Sequence, residues 1–200
     1  MLAIDDLDDR RPGTADDLAA IRNDDWNDAV DVEELSAHDG DLSLDDDLSV
    51  HGGALLVRGD LTVAGTVTVD ETGTLVVTGR LRCANLGCEG NLEVGGDAEV
   101  GGTIFGCYEA GTSWFHGAVT ARLLLRGNHG FEYDPERLAV GAHLAFTNFR
   151  GLHLGTAAEA QAILSAPAYA LLAPLIGLVP DGPSSQGALR FLRTDGFLAT

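Results

Sequence analysis

Lysine is absent from this chain, and its 12 arginines are outnumbered by 31 aspartates and glutamates, for a formal charge of −19 over 200 residues. A polyanion binds where phosphates meet a positive surface, so this balance disfavours nucleic acid as a partner. Cysteine is scarce and odd in number, with only Cys83, Cys88 and Cys107, which does not suit a disulfide framework. Long apolar runs are also missing. The most apolar stretch, Ala166 to Val179, is interrupted by Pro167 and Pro174 and is too short to cross a bilayer, so it reads as a buried terminal cap and no membrane partner is expected. Acidic residues by position 5 stand where a secretory signal would carry positive charge. The expected setting is therefore the cytoplasm, with reduced thiols.

The acidic residues are unevenly placed, 17 of them falling within the first 47 positions, including the run Asp45, Asp46 and Asp47. Two readings compete for this segment: a solvated face, or a docking surface for a basic protein. Within positions 1–38, which do not repeat, Pro12 and Gly13 mark a turn. Thr14 with Asp16, Asp17, Leu18, Ile21 and Trp26 then reads as a capped short helix, and a further helical turn is expected through Val30 to Leu35.

From position 39 a repeat sets in and runs to 151. Gly40-Asp41-Leu42-Ser43-Leu44 returns as Gly59-Asp60-Leu61-Thr62-Val63, Gly79-Arg80-Leu81, Gly96-Asp97-Ala98-Glu99-Val100 and Gly117-Ala118-Val119, with a looser echo at Gly141. The spacings of 19, 20, 17, 21 and 24 residues are those of a solenoid. Apolar residues alternate in short bursts such as Val67-Thr68-Val69 and Leu92-Glu93-Val94, as in brief strands with one buried side. A leucine-rich repeat has a similar period but needs a regular Asn or Cys after its strand and room for a helix. A left-handed triangular helix keeps a strict six-residue rhythm, which here breaks after Leu61, Val67 and Gly73. The variable period favours a right-handed parallel β-helix of five or six rungs. Positions 152–200 are expected to form a helical cap, with one helix opened by Thr156 and another over Ala188 to Leu198.

Residues able to do chemistry concentrate between Gly101 and Asp134. His129, at a turn, is a candidate for a general base, with Glu132 or Asp134 to orient it, and His116 is a second histidine of the same stretch. Cys88 and Cys107, if stacked on successive rungs, are candidates for zinc ligands together with His116 or His129, although no CxxC pair is present. The simpler reading places these cysteines in small buried positions. Asp41, Asp60 and Asp97 share one phase of the repeat and are expected to accept backbone hydrogen bonds at corners, in the manner of Asx turns. No cofactor is expected.

The segments Gly59 to Val67 and Glu93 to Gly102 resemble the bactofilins, the bacterial polymer-forming cytoskeletal β-helix proteins. The motifs Asn91 to Asp97, Trp114-Phe115-His116-Gly117 and Asn128-His129-Gly130-Phe131 resemble a related group of uncharacterised acidic bacterial solenoid proteins. The first likeness implies a β-helix that self-assembles, hence a homo-oligomer. The second implies a link to toxin-immunity or stress systems without a mechanism. The leading expectation is a non-catalytic interaction or scaffold protein with a basic protein partner. A bactofilin-like assembling structural protein is the first alternative, and a small hydrolase or metal-binding enzyme using the His116 and His129 region is the second.

Overall fold

A computed structural model describes residues 1–19, 30–107, 110–127, 129–147 and 151–153. Two two-residue strands, β1 (Leu2–Ala3) and β2 (Arg11–Pro12), and the one-turn helix α1 (Ala15–Leu18) precede the repeat. Coil one comprises β3 (Leu35–Asp39), β4 (Leu42–Leu44) and β5 (Leu48–Val50). Coil two is β6 (Gly53–Arg58) and β7 (Leu61–Val69), and coil three is β8 (Gly73–Val77) and β9 (Leu81–Cys88). Coil four holds β10 (Asn91–Val94), β11 (Ala98–Val100) and β12 (Thr103–Gly106), and coil five β13 (Thr112–Phe115) and β14 (Val119–Arg126). The strands β15 (Gly130–Glu132) and β16 (Leu138–Thr147) start another coil, and β17 (Gly151–His153) folds back on β16. This is a mainly β, parallel β-solenoid of about five turns.

Each coil has three sides. The first belongs to a sheet ordered β15-β13-β10-β8-β6-β3-β2, and the second and third belong to a larger sheet that bends between them. Leu61 and Val67 lie on the second and third sides of coil two and Gly73 starts the first side of coil three, so the broken six-residue rhythm has a structural origin. Coil length varies at the corners: Val63 and Thr66 have two residues between them where Cys83 and Asn85 have one, a bulge that the register shift between β7 and β9 records.

Stacking supplies the core. Leu81 is stacked between Leu61 of the coil before and Ala98 of the coil after, in strict parallel register. Val67 and Leu86, and then Ile104 and Leu124, form the matching column on the third side. These side chains are buried to within a few per cent, whereas Thr62, Arg82 and Glu99 between them point outward. No coil can bury its apolar side alone, which is why short strands of Leu and Val suffice here.

The outer face of the first sheet is apolar at its N-terminal end. Leu35, Ala37, Leu56 and Val76 are buried there, and Leu18 of α1 and Val30 pack on them. Asp17 fastens α1 in place. Its carboxylate is fully buried and accepts hydrogen bonds from Arg11 Nη1 at 2.6 Å, Arg58 Nε at 2.7 Å, and the Thr14 backbone N–H at 2.8 Å. Thr14 does precede the helix as expected, but its hydroxyl donates to Asp17 at 2.8 Å, so here the cap residue donates and a helix carboxylate accepts. The expected turn near Val30 to Leu35 is a 3-10 turn at Val32–Glu34. Because β3 straddles position 38, the first coil starts ahead of the sequence-based boundary. Ile21, Trp26 and the helices expected beyond Thr156 lie outside the described residues. No helix among the described residues is long and apolar enough to cross a membrane.

Candidate functional site

The recurring aspartates act between coils, which corrects the Asx-turn expectation. Asp41 Oδ1 accepts from the Asp60 N–H, Asp60 Oδ1 from the Arg80 N–H, and Asp97 Oδ1 from the Ala118 N–H, each at 2.8 Å. A carboxylate one coil away thus holds the corner that follows it. The Asp60 carboxyl is held below its usual range, first by the Arg80 backbone N–H and then by the Arg80 side chain. Asp47 and Asn85 repeat the device at the next corner, accepting from the Thr66 N–H at 2.7 Å and the Thr103 N–H at 3.0 Å. Asp70 instead makes a local turn, accepting from the Thr72 N–H at 2.9 Å, as Asp31 does from the Glu33 N–H ahead of the coils.

This arrangement explains the glycines. A Cβ on Gly65 would run into the Asp47 carboxylate, and one on Gly102 into the Asn85 side chain. Glycine is therefore needed on one coil because an acceptor reaches up from the coil before it. Asp47→Ala removes one hydrogen bond, at a cost of about 1 kcal/mol. Gly65→Ala alone is expected to cost about 2 kcal/mol through overpacking. The double variant is expected to be at least about 1 kcal/mol more stable than the sum of the two, because the obstacle to the new methyl is gone. Urea titration of the four proteins measures this coupling.

The chemistry-bearing residues of the Gly101 to Asp134 stretch separate onto opposite faces of the first sheet. His116 and Trp114 project outward, and His116 Nε2 lies 3.0 Å from Oε1 of buried Glu93 on the preceding coil. His129 points inward and is buried, with Nε2 2.9 Å from Ser113 Oγ and its ring against the edge of Phe131. Glu132 sits exposed above Trp114, and Asp134 caps the 3-10 turn Pro135–Arg137 by accepting from the Glu136 N–H at 2.9 Å. A sheet lies between the two histidines, and the Nε2 partner of His129 is a serine where a carboxylate was expected. Alternation placed this information in the sequence: His129 has the parity of Ser113 and Phe131, and His116 that of Trp114.

Cys88 does not stack on Cys107. Its partners are Val69 and Gly106, and Cys107 follows one residue later, its N–H bonding to the Cys88 carbonyl at 3.0 Å. Burial pushes the thiols of Cys83 and Cys88 up to about 12. Cys107 is equally buried. Among the described residues no group of three or more His, Cys, Asp or Glu is placed to hold a metal ion. A thiolate is the reactive form. All three thiols are thus expected to react with a disulfide reagent at neutral pH only after denaturation, and rapid reaction of the folded protein would show that this packing is wrong.

A different region gathers unused polar groups, and sequence reasoning pointed only to its charge. At the N-terminal end of the solenoid, β1 pairs with β5 on the third side and β2 pairs with β3 on the first. The chain between them crosses the end and buries Ile4 and Leu7 in the core. On the second side no described strand precedes β4. There, a groove of about 300 Å³ is lined by Leu2, Asp6, Leu7, Asp8, Asp9, His38 and β4. Asp6, Asp8 and Asp9 are exposed, and no arginine among the described residues pairs with them. His38 is buried, with Nε2 3.2 Å from the Asp41 carbonyl, and its Nδ1 has no hydrogen-bond partner. A carbonyl partner makes Nε2 the donor, so in the neutral ring Nδ1 offers a lone pair.

No family model, curated protein or solved structure matches the chain.

Proposed function

We propose that this protein is a non-catalytic scaffold whose acidic solenoid surface binds a basic protein partner. The observation that carries this reading is the cluster of exposed carboxylates Asp6, Asp8 and Asp9 in the segment that crosses the N-terminal end of the solenoid, with no arginine among the described residues paired to them. Arg80 pairs with Asp60 and Arg82 with Glu99 along the outer face, while Asp6, whose carboxylate accepts from the Ala3 N–H, and Asp8 and Asp9 are exposed without an arginine partner among the described residues. Held on a stacked framework, such charges need little ordering before they meet a partner, and their field speeds the encounter. Pull-down with the folded chain at physiological salt and again at high salt tests it. A basic protein retained at the first and released at the second is the expected outcome; recovery of no protein partner at either salt would remove the reading.

A self-assembling role, as the likeness to bactofilins implies, is the second reading, and the edge of β4, unpaired among the described strands, favours it. The cap weighs the other way, since β2 runs antiparallel to β3 and carries Pro12, which lacks an N–H to donate to a further strand. Filaments in negative stain would support assembly, and a single species across a concentration series would dispose of it.

A further inference from the structure

We infer that β4 is a strand-addition site, where an extended segment of the partner carrying Lys or Arg adds to the open second side of the first coil. This deepens the scaffold reading and rests on it. Among the described strands β4 pairs only with β7. The Leu42 N–H donates to the Asp60 carbonyl at 2.9 Å, so Leu42 and Leu44 turn their backbone groups toward the coil that follows. Ser43, between them, must then turn its N–H and C=O the other way, into the groove. An added strand would satisfy both, as β1 and β2 already do on the neighbouring sides.

The groove also supplies side-chain contacts. Leu42 and Leu44 are only partly buried although they pack against the core, so an apolar residue of the incoming strand would cover them. Asp6, Asp8 and Asp9 ring the site without arginines, and the buried Nδ1 of His38 lacks a partner. Three carboxylates and a ring lone pair suit a donor-rich cation: an ammonium or guanidinium next to an extended backbone. A second copy of this chain is a poor occupant, because it brings another −19 charges to the same place. In peptide recognition of this kind the main chain gives affinity, and alternate side chains give specificity.

The test is amide NMR of the full chain with a short peptide of alternating Arg and Val. Two controls accompany it: the same peptide with Glu for Arg, and the Arg peptide N-methylated at alternate amides. The Arg peptide is expected to shift the amides of Leu42 to Leu44 and His38 and to bind about tenfold more weakly at about 0.5 M salt than at about 0.05 M. The Glu peptide should fail. The methylated peptide should lose at least about tenfold, because it keeps the charge and cannot pair. Equal binding of the methylated peptide, or no shift at β4, would overturn the inference. Ser43→Pro, which removes the edge donor, and Asp8→Asn with Asp9→Asn, which cannot disturb the strand, should each weaken the Arg peptide by about tenfold or more with an unchanged circular dichroism spectrum. If the partner recovered in the pull-down still binds the folded Ser43→Pro chain, the scaffold reading stands and this site is wrong. If no partner is recovered and the peptide also fails, both fall.

Discussion

Asp17→Ala is expected to lower stability by about 3 kcal/mol, or about 10 °C in Tm, while Asp16→Ala next to it changes little. The difference lies in what each carboxylate touches. Asp17 has no exposed surface and is the common acceptor of Arg11, Arg58 and Thr14, whereas the Asp16 side chain is exposed. Removing Asp17 leaves two guanidinium groups, each about a third exposed, facing one another across an emptied site; that exposure puts the cost at the low end for a broken buried pair. The loss should spread to the packing of Leu18 and Val30 on Leu35, Leu56 and Val76, because Asp17 ties α1 to that face.

Acid should reproduce part of this effect. Asp17 is held below the usual carboxylate range by Arg11 first, and then by Thr14 and Arg58. Asp39 is lowered by Arg11, and Asp60 by the Arg80 N–H. For a depressed carboxylate, the unfolded chain takes up a proton before the folded one. Stabilisation is therefore complete above the ordinary value of 3.8 and is lost as pH falls through the lower folded values. Stability should be flat with respect to these groups from about pH 5 upward and fall steeply below it, less steeply in Asp17→Ala. Denaturant midpoints across this range give the comparison.

Gly96→Ala is the second large effect, about 3 kcal/mol, against at most about 1 kcal/mol for Gly101→Ala five residues on. A methyl on Gly96 would lie 2.8 Å from the Gly79 carbonyl group and 3.0 Å from the Arg80 nitrogen, all backbone. No side chain can rotate out of the way, so the coils themselves must part. At Gly101 the nearest atoms are carbonyl oxygens at 3.8 Å, an ordinary contact. A similar loss at both positions would mean that glycine serves only chain flexibility.

The solenoid was legible because its repeat is carried by residue types with one reason each to recur: Leu or Val to stack, glycine to allow close approach, aspartate to accept at a corner. The direction of the aspartate bonds was less legible, since a backbone acceptor at a corner can serve its own turn or the next coil. That choice depends on the height of a coil, which is a tertiary quantity. Cys88 and Cys107 illustrate another limit. Their separation of 19 matches an average coil, but coils here differ in length at their corners, and the register places Gly106 opposite Cys88. The burial of His129 did not follow from its place at a turn, although its alternation with Phe131 puts it on the inner face. The side at β4, unpaired among the described strands, could not be read at all, because it exists only where β1 and β2 settle on the third and first sides of the first coil and leave the second.

The most direct measurement is a through-hydrogen-bond NMR correlation between backbone amides and side-chain carboxyl carbons. The expected cross-peaks join the Asp60 amide to the Asp41 carboxyl, the Arg80 amide to that of Asp60, and the Ala118 amide to that of Asp97. Correlations of these carboxyl carbons with amides of their own corners instead would contradict the stacked arrangement from which the rest follows.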